Sequence, residues 1–387
     1  MKEFVYILPN AAWGVASVVS NLIRYSTHTD IHKKVILIDA QKSGKPCDAD
    51  FGNAEIIVVT PKSSWIESKY SFAKRVSKYL TPDSIIISND GNPEYSMVEM
   101  LKLKNPVVSV LHGDYRHYFN GGCRYGYLID RMICVSSYLE KKAKEQFSPN
   151  TNPIFIPFPT PNIDLPAKNY DQPLKISYAG GITTAKGCEH FPEVIRLLDN
   201  NNVNYIFNIF GDGELLSYLK AQIGHNPKVI FHGKQSNNTV LEYLKDTHIT
   251  IHLSKNEGLP VCLVEAMKCG SVPVVFDLPT GIPDLIDDGI NGYRFPQGDL
   301  NSLIQIIKEL NKNRERLSKI SQAAKKYADN MFDPYKQTSL YESTFLMTEA
   351  SIQKYDKKPY KFTAKTLERL PISISHFIQK FYQDLLN

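Results

Sequence analysis

Twice along this chain, short apolar runs of strand length alternate with segments of helical period, and a proline-rich stretch separates the two series. In the first series Phe4–Leu8, Lys34–Ile38, Ala54–Val59, Ser84–Ser88, Val107–Leu111, Met132–Val135 and Ile154–Ile156 read as strands. Val15–Ile23, Ser71–Tyr79, Glu94–Leu103 and Tyr138–Gln146 read as helices among them. In the second series Leu174–Ala179, Tyr205–Phe210, Val229–Phe231, Ile249–Leu253 and Val272–Phe276 are strands, and Cys188–Leu198, Glu214–Ile223, Asn238–Lys245, Val261–Lys268 and Ile282–Ile286 are helices. Leu300–Asn311, with Asp299 as N-cap, and Arg314–Ala328 extend the helical pattern. Such alternation implies βαβ units and parallel sheets. Between the series, Pro157-Phe158-Pro159-Thr160-Pro161 and then Leu165-Pro166 suit neither helix nor ladder, so the domain linker is expected there. At 387 residues the chain exceeds one typical core. The expected fold class is α/β with two doubly wound, Rossmann-like domains, residues 1–160 and 170–335. Residues 336–387 are expected to return to the first domain as carboxyl-terminal helices.

Composition narrows the function classes. A hydrophobic fraction of 42% and a charged fraction of 22% are those of a soluble globular enzyme. A net charge of +5 is mild for this length and points to no nucleic-acid partner. The six cysteines show no CxxC pair and no Cys/His metal spacing, and read as reduced thiols of a cytoplasmic protein. The opening run ends at Pro9 and is a strand rather than a signal peptide. No stretch approaches the ~20 apolar residues that span a bilayer. The end of the chain differs: Lys354, Lys357, Lys358, Lys361, Lys365 and Arg369 precede Ile374, Phe377, Ile378, Phe381 and Leu385 at helical spacing. A basic stretch joined to an amphipathic helix can make a peripheral contact with the inner face of a membrane, but globular helices share this pattern, and a helix packed on the body of the protein is the reading preferred.

The densest functional signal is Asn256-Glu257-Gly258-Leu259-Pro260-Val261-Cys262-Leu263-Val264-Glu265-Ala266-Met267, in which seven residues separate two glutamates. Glu257 falls in the loop after a strand and Glu265 on the next helix. Open α/β sheets bind ligands at that end of the strands. The backbone N–H groups of Leu259 to Val261 open the helix and suit a phosphate. Upstream, Gly180-Gly181 permits close backbone approach to an anion, and Lys186 supplies a cation before a helix. No DxD pair stands where it would suggest Mn or Mg, so no metal or other cofactor is expected.

These segments resemble retaining glycosyltransferases of family 4 (glycosyl transferases group 1), most clearly from about Ile176 to Gln297. The resemblance implies the GT-B architecture, two Rossmann-like domains facing an interdomain cleft, the second binding the donor. It implies transfer of a sugar, with retention, from a nucleotide-diphosphate sugar to a glycan or glycolipid acceptor in surface polysaccharide, lipopolysaccharide or glycolipid assembly. In that reading Glu257 holds hydroxyls of the donor sugar, Glu265 the ribose, and Lys186 the diphosphate, with Gly258, Leu259, Pro260 and Val261 opening the helix beside it. Gly233 and Lys234 lie near the base. Gly14 belongs to a loop after the first strand that approaches donor or acceptor, and Trp13 beside it suits stacking on an acceptor sugar. His112 corresponds to a histidine near the donor sugar and the leaving phosphate. Ser136 or Ser137 is a helix N-cap, Asp212 caps a structural turn, and His232 reads as structural. Where many relatives carry arginine this chain has Gly181, and Arg116 or Arg294 are the candidates to replace that charge. The alternatives are a non-catalytic nucleotide-sugar-binding protein and a nucleotide-sugar epimerase.

Overall fold

A computed structural model describes residues 2–11, 14–39, 46–62, 66–89, 91–349 and 371. Trp13, the basic stretch 351–369 and the amphipathic segment from Ile374 lie outside the described residues. The chain divides into two compact units. One holds the residues up to Val135, Leu139–Pro159 and the chain from Tyr335, and the other holds Ser136–Tyr138 and Thr160–Pro334.

The first unit runs β1 (Glu3–Pro9), α1 (Gly14–Arg24), β2 (His32–Ile38), β3 (Glu55–Val59), α2 (Lys69–Ser77), β4 (Ser84–Ser88), α3 (Asn92–Leu101), β5 (Val107–Leu111), α4 (Arg116–Tyr125), β6 (Arg131–Cys134), α5 (Ser137–Gln146) and β7 (Pro153–Phe155). The seven strands are all parallel, in the order β3-β2-β1-β4-β5-β6-β7. Strand order therefore reverses between β1 and β4. Every residue of β4 and β5 is buried, because helices cover both faces of a parallel sheet. The edge strand β3 instead leaves Ile56 and Val58 about half exposed. Helix α4 was not expected, since its sequence RHYFNGGCRY looks like a polar loop. It holds as a helix because Phe119, Gly121, Gly122 and Tyr125 form its buried side, and the ring of Phe147 lies where a side chain on Gly122 would be.

The second unit runs β8 (Leu174–Ala179), α6 (Phe191–Asn200), β9 (Tyr205–Phe210), α7 (Leu216–Ile223), β10 (Val229–Gly233), α8 (Asn237–Lys245), β11 (Ile249–His252), α9 (Val261–Lys268), β12 (Val272–Phe276), α10 (Ile282–Leu285), β13 (Tyr293–Phe295), α11 (Leu300–Lys312) and α12 (Arg314–Met331). Its parallel sheet has the order β10-β9-β8-β11-β12-β13 and reverses between β8 and β11. Strand β13 was read as part of a turn: three residues between turn-formers carry no period, and only pairing of Tyr293 with Val274 reveals it. Asp299 caps α11 by accepting from the Ser302 N–H. After α12 the chain forms α13 (Pro334–Met347) within the first unit, where Phe345 packs edge-on against Phe4 at 5.3 Å and the Tyr341 hydroxyl donates to the Ile156 carbonyl.

Lys268, the last residue of α9, is fully buried. Its ammonium donates to the carbonyls of Thr160 (2.8 Å) and Phe332 (3.0 Å) and to Oδ1 of Asn162 (2.7 Å). Burial pushes its pKa down to about 8, against the pull of Asp329. Lys268→Met keeps the volume and strands these oxygens. It is expected to lower the unfolding free energy by about 2 kcal/mol in urea titrations; an unchanged midpoint would show that the ammonium holds nothing there.

Candidate active site

The segments that leave the carboxyl ends of β8 and β11, on either side of the order reversal, are held together backbone to backbone. Gly187 has φ +68°, and a Cβ on it would lie 1.8 Å from the Leu253 carbonyl oxygen. Only glycine permits that approach. The Lys255 N–H donates to the Ala185 carbonyl at 3.0 Å, tying the same two segments again. A third loop supports them: a Cβ on Gly211 would lie 1.8 Å from the Gly180 carbonyl, and Ile182 N–H donates to the Asp212 carbonyl at 3.0 Å. The Gly211-Asp212-Gly213 turn is thus a backbone prop for the Gly180-Gly181 loop.

This arrangement brings Lys186 to Glu257. Lys186 Nζ donates to Glu257 Oε1 at 2.6 Å, and His252 Nε2 lies 2.9 Å from the same oxygen. Ser254 Oγ is 3.0 Å from His252 Nε2. Glu257 and His252 are 4% exposed each, so the pair is desolvated. Burial would raise the Glu257 pKa, yet the bond and charge of His252, then Lys186, take it down to about 2. For His252 burial acts downward, and is outweighed by hydrogen bonds to Cys262 and Glu257, which take it up to about 9. At neutral pH two cations face one carboxylate, so the cluster carries one net positive charge. Helix α9 adds its positive end there, its N-cap being Pro260, which gives its first turn no side-chain cap. The arrangement favours an anion, while a carboxylate with capacity for four hydrogen bonds can accept further hydroxyls.

Glu265 is buried on α9 and accepts from Asn237 Nδ2 at 2.9 Å. Burial raises its pKa to about 7, against the bond from Asn237. Gly258, before α9, accepts from the Gly281 N–H at 2.9 Å, which anchors the Gly258–Val261 turn. Gly233 ends β10 with φ +68° and open space around it, and Lys234 follows, exposed. His232 stacks on Phe210 at 4.2 Å and meets Asn208 Oδ1 at 2.8 Å, a packed position. Gly181 is exposed, and a Cβ there would touch only Thr183 at 3.7 Å, so space does not require glycine. Arg294 is paired with Asp277 at 2.8 Å on β13.

Gly14, His112 and Arg116 belong to the first unit. Gly14 opens α1, His112 follows β5, and Arg116 begins α4. His112 Nε2 is 2.9 Å from Asn89 Oδ1. Because Asn89 Nδ2 donates to the carbonyls of Ile7 and Ile87, Oδ1 is the accepting end, and His112 donates through Nε2 and keeps Nδ1 as an acceptor. Burial pushes its pKa down to about 3, so the ring is neutral. His252, Asn237 and Asn89 were missed by the sequence reading. The signal for His252 was present: a histidine closing an otherwise apolar strand.

Residues 162–327 match the model of the family described as Glycosyl transferases group 1. The similarity to glycosyltransferases lies in this part of the chain. The amylovoran biosynthesis glycosyltransferase AmsK of Erwinia amylovora is 29% identical over 173 residues, 42% of each chain. The chain thus spans less than half the length of that relative. An uncharacterized glycosyltransferase of Methanocaldococcus jannaschii is 22% identical over 326 residues, covering 81% of this chain and 89% of that one. Among solved structures, Anabaena HepE in complex with UDP-glucose superposes with a TM-score of 0.71 at 16% identity, over 89% of this chain and 100% of that chain. The α/β fold is that of GT-B proteins, with two Rossmann-like domains, and the matched segment contains Lys186, Glu257 and Glu265. Among the described residues no helix is long and apolar enough to cross a membrane.

The shifts fix how pH acts on this domain. Glu257, lowered from 4.5, contributes stability that is present above about 4.5 and lost as pH falls toward 2. His252, raised from 6.5, contributes stability present below about 6.5 and lost as pH rises through 9. Both describe one pair, worth about 3 kcal/mol. The stability difference between the protein and Glu257→Gln, from urea midpoints at pH 3 to 9, is expected to be largest between pH 5 and 7 and to shrink on both sides; a flat difference would break the assignment.

Proposed function

We propose that the chain is a retaining glycosyltransferase of family 4 that moves a sugar from a nucleoside diphosphate to an acceptor hydroxyl in surface polysaccharide, lipopolysaccharide or glycolipid assembly. The observation that carries this reading is the cluster of Lys186, Glu257 and His252 beside the uncapped start of α9, at the strand-order reversal and inside the matched segment. Its net positive charge suits a diphosphate whose charge grows as the sugar departs. Lys186 and the helix start meet that charge without a metal. Glu257 accepts from the sugar hydroxyls and Glu265 from the ribose. The Gly180-Gly181 loop lets backbone approach the phosphates, Gly233 and Lys234 flank the base, and His112 keeps the role given by the resemblance, as a neutral ring. The similarity to HepE, solved with UDP-glucose, favours a uridine donor. Similarity to a polysaccharide biosynthesis enzyme favours a glycan acceptor. A non-catalytic nucleotide-sugar-binding protein is the second reading, favoured by Gly181, where a cation is missing.

Release of nucleoside diphosphate from a panel of UDP-, GDP- and ADP-sugars tests the reading. One donor is expected to turn over, with a loss of about a hundredfold in Glu257→Ala; binding without release from any donor selects the second reading. Binding of the accepted donor has its own pH signature. Ribose hydroxyls donate to an ionised Glu265, whose pKa stands at about 7 instead of 4.5. Affinity is expected to fall about tenfold from pH 8 to pH 6, and Glu265→Gln to lose that slope. A slope unchanged in the variant would exclude Glu265 from the nucleotide.

A further inference from the structure

The carboxyl end of the first sheet carries a group of aromatic rings that the donor chemistry does not use. They stand where the loop after β5 enters α4, three residues beyond His112. The rings of Tyr115 and His117 are stacked at 5.7 Å with 19° between their planes. Tyr118 lies 4.3 Å from His117 and 5.9 Å from Tyr115. Tyr115 is 41% exposed, and His117 is exposed beside it. The group is at the surface, yet its loop is firmly held. A Cβ on Gly113 would lie 2.5 Å from the Tyr115 ring, so that ring rests on backbone. Lys142 donates to both oxygens of Asp114 at 2.6 and 2.7 Å, which pins the loop and offsets the charge of its carboxylate.

A second observation ties the rings to a polar group. Asn89, 2% exposed, follows β4; its carbonyl accepts from the Tyr118 hydroxyl at 3.2 Å, and its Oδ1 from His112 Nε2 at 2.9 Å. One buried residue thus fixes both a ring of the group and the histidine, whose Nδ1 is left as an acceptor. Strands β4 and β5 stand next to the reversal of strand order between β1 and β4. Open α/β sheets take ligands outside the carboxyl ends of their strands at such a reversal.

Exposed rings with polar tips, beside a hydrogen-bond acceptor, suit a ligand with one apolar face and a hydroxylated rim. A pyranose has that form, with C–H groups across one face and hydroxyls around its edge. An aliphatic chain there would leave His112 Nδ1 facing hydrocarbon. We propose that Tyr115 and His117, backed by Tyr118, are the platform on which a pyranose of the acceptor stacks, with its hydroxylated rim toward His112. The assignment to the acceptor rests on the transferase reading, which gives the nucleotide to the second unit; the stacking of a pyranose does not.

The full chain is titrated by saturation-transfer NMR with the methyl pyranosides of glucose, galactose, mannose and N-acetylglucosamine, and with glycerol, a polyol without a ring. UDP-glucose is titrated calorimetrically in parallel. At least one pyranoside is expected to bind, with transfer concentrated on the C–H protons of one face, and glycerol is not. Tyr115→Ala and His117→Ala are each expected to weaken that pyranoside about tenfold, Tyr115→Phe to retain it, and UDP-glucose affinity to stay unchanged in all three. No binding of any pyranoside, glycerol binding as tightly, or pyranoside binding that both alanine variants leave unchanged overturns the proposal. Weaker UDP-glucose binding in the alanine variants would overturn the assignment to the acceptor. UDP-glucose that fails to bind the unaltered protein, while the pyranosides behave as stated, counts against the donor reading and keeps the platform.

Discussion

A carboxylate buried between two cations organises the second unit. Glu257 is desolvated at the end of a parallel strand, a position that charge occupies only when it is matched. Its match comes from two directions, His252 at the end of the strand before it and Lys186 on the segment after β8, and the second depends on the absence of a side chain at Gly187. Backbone contact between loops, helix entry at Pro260 and the ion cluster therefore form one arrangement. His252, deeper than Lys186 and also charged, keeps the carboxylate ionised. The two cations thus differ in place: His252 is buried beside the carboxylate, and Lys186, brought in from a separate segment, is partly exposed.

Periodicity made the parallel strands legible because buried strands and amphipathic helices repeat differently, and most observed bounds lie within two residues of those expected. What failed was local and explicable. Helix α4 is polar, with two adjacent glycines, and its helical state comes from tertiary contact at Phe147 rather than propensity. Strand β13 is too short to carry a pattern. In the site, glutamates at a fixed spacing could be read from the chain, but their partners could not. Asn237 reaches Glu265 across 28 positions and Lys186 reaches Glu257 across 71. Sequence assigned Lys186 and Glu257 to separate parts of a ligand; only the fold shows that they first meet each other.

The two units use one architecture for different ends. Both reverse strand order in mid-sheet, yet the second places charge at that reversal, whereas the first places there Asn89, an amide that orients a neutral histidine. A neutral ring can accept from a hydroxyl while carrying no charge of its own.

Helix α9 has a distinct role at each end. Its first turn faces the ion cluster, Glu265 sits in its middle, and Lys268 closes it by gripping the carbonyls of Thr160 and Phe332. Those two carbonyls stand near the points where the chain leaves and re-enters the first unit, after Pro159 and before Tyr335. Eight residues of helix, about 12 Å long, therefore join the turn after Glu257 to the two carbonyls beside the chain crossings. Because a helix is stiff along its axis, a displacement at its first turn is carried to Lys268 and to the two carbonyls that it grips.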